Sequence, residues 1–131
     1  MSRLATGTEL PAVEVTPTLR QLVRYAGASG DLYAMHYDLE FAKELGYRDL
    51  PVHGLLKAAL LGRMLRRWLR PGDRLLTFEV TYRGLDFRDE PLMLGGRVAD
   101  VVGGRARLDL WITSADGRRS TFGGAEVELT A

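Results

Sequence analysis

Between Leu55 and Arg70 the chain is apolar on nearly every side, and beyond Pro71 its hydrophobic residues fall instead on alternate positions. Leu55, Leu56, Leu60, Leu61, Met64, Leu65 and Trp68 predict one helix, about 25 Å long at the usual rise, which Pro71-Gly72 stops. A helix hydrophobic on most sides has to be enclosed by other structure. The alternation that follows predicts strands. Leu76, Phe78, Val80 and Tyr82 form one set, Ala106, Leu108, Leu110 and Ile112 another, and Thr121, Ala125, Val127 and Leu129 a last. Pro91–Val102 predicts a further strand, with a bulge at Gly95-Gly96. Gly103-Gly104 and Asp116-Gly117 are hairpin dipeptides, so the expectation is an antiparallel meander with one buried face.

The first half reads as shorter elements. A brief strand is predicted around Ala12–Val15. Thr16-Pro17 then predicts a helix start, with Leu19, Leu22, Val23 and Ala26 on one face and an end near Gly27–Gly30. Asp31 to Tyr37 shows no period. Asp38 suits the cap of a short helix, Leu39–Leu45, terminated by Gly46, and Pro51 keeps Tyr47–Val52 irregular. One buried helix and a run of antiparallel strands pack most simply with the sheet wrapped around the helix. The expected fold class is therefore α+β: one domain over residues 1–131, a long helix over about 54–70, and a short-helix overhang over about 31–52. A single sheet still leaves open edges, which predicts a dimer.

Composition narrows the functional classes. The net charge of +1 gives no global field for nucleic acid or an anionic membrane. The absence of cysteine excludes a disulfide framework and a thiolate nucleophile. No apolar run is long enough to cross a bilayer, and the first residues lack the apolar core of a signal peptide. A cytoplasmic protein is the expectation.

The candidate chemistry is concentrated in Tyr25–Gly54, which holds both histidines of the chain. Asp31 and His36 lie close enough in one loop to face a common cavity, and a carboxylate and an imidazole sharing one water form an acid–base pair. The same two residues also read as a turn cap and a hydrogen-bonded, partly buried histidine. His53-Gly54 opens the buried helix, whose free amides and dipole suit an oxyanion; a tight turn with a packing histidine is the plainer alternative. The spacing of the two histidines matches no zinc pattern, so no metal site is expected. Arg63, Arg66, Arg67 and Arg70 read as a solvated helix end, and with Arg83, Arg88 and Lys57 they are also candidates for the phosphates of a nucleotide-bearing substrate.

The run Tyr25-Ala-Gly-Ala-Ser29-Gly30-Asp31, then His36 after four residues and Ala42 after five more, followed by Val52-His53-Gly54-Leu55-Leu56, resembles the MaoC-like acyl dehydratases. These are the (R)-specific enoyl-CoA hydratase group of the hot-dog fold. The resemblance implies reversible hydration of a trans-2-enoyl thioester to the (R)-3-hydroxyacyl thioester, carried on coenzyme A or an acyl carrier protein. Asp31 and His36 would hold the catalytic water, and the Gly54 amide would hold the thioester oxygen. Tyr33, Met35, His53 and Leu55 would line the substrate site. No metal or redox cofactor is implied, and the partner would be a second hot-dog chain in a homodimer or heterodimer. A hot-dog acyl-CoA thioesterase and a non-catalytic acyl-binding subunit are the alternatives. The sequence departs from the family pattern at Tyr33-Ala34, where Asn-Pro is usual, so the proline that would stiffen the loop is missing.

Overall fold

The computed structural model describes residues 5–130. A five-stranded, wholly antiparallel sheet has the order β1-β3-β4-β5-β2. Its strands are β1 (Val13–Val15), β2 (Arg74–Tyr82), β3 (Leu92–Val102), β4 (Arg105–Thr113) and β5 (Arg119–Glu128). Only β3, β4 and β5 form the expected meander. β2 joins the far side of β5, not β3, and is therefore an edge strand, which explains why its alternation ends in half-burial.

Helix α1 (Leu19–Ser29) starts two residues later than the Thr16-Pro17 signal suggested. The cap is Thr18, whose hydroxyl accepts the Gln21 amide at 3.2 Å, while Pro17 is buried ahead of it. A 3₁₀ turn, Ala34–His36, and helix α2 (Leu39–Glu44) follow, the latter capped by Asp38 through the Phe41 amide at 3.2 Å.

Helix α3 (Gly54–Trp68) is the long helix of the sequence pattern. It ends before Arg70 because Pro71 disfavours helix at the residue before it; Leu69 is already extended. Its residues Leu56, Leu60, Leu61, Met64 and Leu65 form one cluster with Leu94 and Val98 of β3, Leu108 and Ile112 of β4, and Val127 of β5. Each such leucine contributes roughly 1.5–3 kcal/mol on burial. Leu55 is on the uncovered side of α3 and 61% exposed.

Gly95-Gly96 is not a bulge. Both pair in register, with Trp111 and Leu110, and the irregularity lies between Val98 and Asp100. The glycines give their cross-strand partners room: a Cβ at Gly95 would stand 2.5 Å from Trp111 Nε1, and one at Gly96 would stand 2.8 Å from Leu110 Cδ2.

Lys57 is buried, 2% exposed, and meets an acid instead of reaching solvent. Its Nζ lies 3.0 Å from Asp86 Oδ2 and donates to the Gly84 carbonyl at 3.0 Å. Ser114 and Ser120 donate to the same carboxylate. This network ties α3 to the loop before β3. That loop in turn holds the segment entering α3, since Val52 N–H donates to Asp86 O at 2.8 Å and Arg88 N–H to Leu50 O at 3.0 Å. Lys57 and Arg88 are thus committed to Asp86 and Asp49, leaving the exposed arginines 63, 66, 67 and 70 without them. No helix among the described residues is long and apolar enough to cross a membrane.

Candidate active site

Helix α1 ends at Gly30, whose φ of 78° lets the chain reverse. The Asp31 amide then donates to Ser29 Oγ at 3.1 Å, and Asp31 Oδ1 accepts the Tyr33 amide at 3.4 Å. Oδ2 is left to face inward. One turn of 3₁₀ helix brings His36 round to meet it, and the loop is tied across by the Tyr37 hydroxyl, which donates to the Leu32 carbonyl at 2.8 Å.

His36 is buried, and its Nδ1 lies 2.8 Å from the Pro51 carbonyl. A carbonyl only accepts, so Nδ1 carries a proton, and in the neutral ring Nε2 presents a lone pair. That lone pair faces Asp31 Oδ2 at 3.9 Å. The gap is too long for a direct hydrogen bond and short enough for one water oxygen to touch both. The Pro51 carbonyl is positioned by its neighbours, because Leu50 and Val52 are bonded to the segment around Phe87 in strand-like fashion.

His53 precedes α3 and makes no side-chain cap. The first helical bond runs from Lys57 N–H to the His53 carbonyl at 3.1 Å, so the Gly54 amide has no acceptor within the helix and lies at the positive end of its dipole. A Cβ at Gly54 would stand 3.3 Å from the Tyr82 ring; glycine here admits that ring. Burial raises the Tyr82 pKa above 10.0, with Tyr25 adding to the shift. Tyr25 packs its edge on His53 at 4.9 Å and 67°.

The structure thus brings Asp31, His36 and His53 together, with one nitrogen or oxygen from each inside a sphere where all pairs are within 4.8 Å. As donors to a metal ion the two histidines conflict. Their rings stack at 3.8 Å and 19°, so their in-plane lone pairs run side by side and do not converge on one ion. Tyr33, half-exposed, packs edge-on against Phe41 at 5.6 Å with its ring 6.5 Å from His36. Leu55 flanks Gly54 on the open side of α3. Met35 is partly buried and packs against the core. Sequence reasoning had no way to find the Pro51 carbonyl or Tyr82, which join the site only through pairing across the chain; Tyr25 stood in the motif without a role.

Solved structures share this fold across almost the whole chain. An (R)-hydratase from A. caviae involved in PHA biosynthesis matches with a TM-score of 0.90 at 21% identity, covering 99% of this chain and 100% of that one. R-hydratase PhaJ1 from Pseudomonas aeruginosa matches at 0.89 and 22%, covering 96% and 82%. A chain of the ChsH1-ChsH2 complex from Mycobacterium tuberculosis matches at 0.88 and 19%, covering 96% and 98%. At such identities the likeness is one of fold, and that fold is the hot-dog. No curated protein sequence gives a significant match. The profile of the MaoC like domain matches residues 3–91, more than half of the sequence and all of the segment that carries Asp31, His36 and Gly54, and the chain belongs to this MaoC-like family of hydratases and dehydratases.

Proposed function

We propose that the protein catalyses the reversible hydration of trans-2-enoyl thioesters to (R)-3-hydroxyacyl thioesters. The observation that carries this is the 3.9 Å gap between Asp31 Oδ2 and His36 Nε2, with the opposite nitrogen of His36 pinned to the Pro51 carbonyl. A water in that gap gives one hydrogen to Nε2 and the other to the carboxylate. As its oxygen adds to the β-carbon, one of its protons passes to the pair and a proton is delivered from the pair to the α-carbon, so water is consumed and no other reactant is needed. Charge gathers meanwhile on the thioester oxygen, and the Gly54 amide with the α3 dipole is the group that stabilises it. In the reverse direction the same groups remove water.

The acyl chain is carried on coenzyme A or an acyl carrier protein, and its binding residues are Tyr33, His53 and Leu55. Leu32, Tyr33 and Leu55 are 62%, 50% and 61% exposed beside the site. Apolar exposure of this extent, together with the free edge of β2, supports a second hot-dog chain closing the pocket. The test is loss of enoyl absorbance on crotonyl-CoA and longer enoyl-CoA substrates, run beside a thiol-trapping reagent. Absorbance loss without free thiol is the expected result. Thiol release would make the protein a thioesterase instead. Absence of either reaction in the homogeneous protein, with activity only in a mixed complex, would make it a subunit of a heteromeric dehydratase.

A further inference from the structure

His53 is 1% exposed, yet neither of its ring nitrogens has a hydrogen-bond partner among the described residues. Burying polar atoms without a hydrogen bond is costly, and the ring is held here by its packing contacts. What it does contact is aromatic. One face lies flat against His36 at 3.8 Å and 19°, and Tyr25 braces it edge-on at 4.9 Å.

The hydrogen bond to Pro51 fixes only one atom of the His36 ring. The imidazole, also anchored at Cγ, can still tilt through small coupled changes in its two side-chain torsions, and such a tilt loosens the bond to Pro51 and carries Nε2 away from Asp31. A flat group against the ring face removes that freedom. The titratable groups facing His53 are Asp31, His36 and Tyr25. Burial is the main cause of a pKa below 6.5 at His53; a charge on His36 pushes the same way, and Asp31 opposes. A second positive charge beside a charged His36 is thereby disfavoured.

We propose that His53 is a positioning residue, a flat platform that holds the His36 ring in the plane where Nε2 faces Asp31. The proposal rests on the reading of Asp31 and His36 as the water-holding pair, but its main readout is spectroscopic and needs no turnover. With only two histidines in the chain, ¹⁵N imidazole spectra of the wild type, His53→Phe and His53→Ala resolve each ring. The expected wild-type result is a single Nδ1–H tautomer at His36 and a His53 ring that titrates below 6.5. A phenyl ring keeps the flat face, so His53→Phe retains that tautomer. His53→Ala mixes the tautomers and lowers kcat on the order of 100-fold, as a slight misplacement of a reacting group does. A His36 signal unchanged in His53→Ala overturns the proposal, as does a wild-type His53 that titrates above 6.5. Equal loss of activity in both variants with the tautomer intact overturns it too, since the nitrogen and not the face would then matter. Should the wild type hydrate no enoyl thioester, the hydratase reading fails while the spectra still decide this one.

Discussion

The Pro51 carbonyl lies 2.8 Å from His36 Nδ1 and so determines which nitrogen of His36 confronts Asp31. Two acceptors, a lone pair and a carboxylate, then face each other across 3.9 Å, an arrangement that a water satisfies and that the two groups cannot satisfy alone.

Asp31→Asn tests this directly. The amide can donate to Nε2, which closes the gap and removes one acceptor for water. Asp31 is only part-buried, so the fold has little reason to suffer. Hydration kcat is expected to fall about 10²–10⁴-fold with the melting temperature within a degree or two of the wild type. A variant retaining a tenth of the wild-type rate would remove Asp31 from the reaction.

Gly54→Ala separates the backbone donor from the helix it opens. The position has no positive φ, and alanine favours helix by up to about 1 kcal/mol. Against this, the new Cβ meets the Tyr82 ring at 3.3 Å, and Tyr82, being partly exposed, can yield. Stability should change by less than about 1 kcal/mol, while kcat/KM falls roughly 10- to 100-fold because the amide's approach is displaced. Urea denaturation beside enoyl-CoA kinetics reads both. Unchanged kinetics would argue against an oxyanion at this amide.

How much of this was legible beforehand depended on the range of the interaction. The long α3, the strands from Leu76 onward and the loop carrying Asp31 and His36 rest on period, caps and glycine placement within a few residues, and each was readable. The order of strands was not. β2 pairs with β5 across some forty residues, and no local pattern distinguishes that from pairing with β3. The glycine pair at 95–96 misled for the same reason: the space it makes is filled by Trp111 and Leu110 from another strand. Lys57 announced itself as an oddity on an apolar helix, but its partner Asp86 lies twenty-nine residues away. Asp31 and His36 were found by kind and spacing, whereas the carbonyl that orients His36 belongs to a proline with no side-chain signature.

His53 makes stability depend on pH. Its folded pKa lies below 6.5, chiefly through burial, while in the unfolded chain it titrates near 6.5. Below 6.5 the unfolded state therefore binds more protons, and stability rises with pH. The contribution is whole above 6.5 and is lost as pH falls through the folded pKa, at a slope of up to about 1.4 kcal/mol per pH unit. Urea midpoints between pH 7.5 and 5 should decline in the wild type and decline less in His53→Phe. Asp31→Asn removes the charge that favours His53 protonation, so its decline should extend to lower pH. Equal slopes in the wild type and His53→Phe would contradict this assignment.

Ala34 stands where the family pattern has proline, and the backbone there is already what proline requires. Tyr33, the residue before it, is extended at φ −64° and ψ 122°, the region to which a following proline confines its neighbour. Ala34 is the first residue of the 3₁₀ turn, so its amide has no acceptor within that turn and proline would forfeit no bond there. The Ala34 carbonyl, which accepts from Tyr37 and Asp38 at 3.1 and 2.8 Å, is unaffected. Ala34→Pro should therefore stabilise by about 0.4–1 kcal/mol through the unfolded chain, raising the melting temperature by roughly 2–4 °C. Because the loop between Asp31 and His36 is stiffened without moving either, hydration kcat should hold or rise, and KM for bulky acyl groups should respond more than KM for crotonyl-CoA, since Tyr33 beside it loses freedom. Scanning calorimetry and a chain-length panel measure the two effects. A lowered melting temperature would mean that the turn at Ala34 is not preformed, and that Tyr37 and Leu32, not the backbone at Ala34, hold Asp31 and His36 in place.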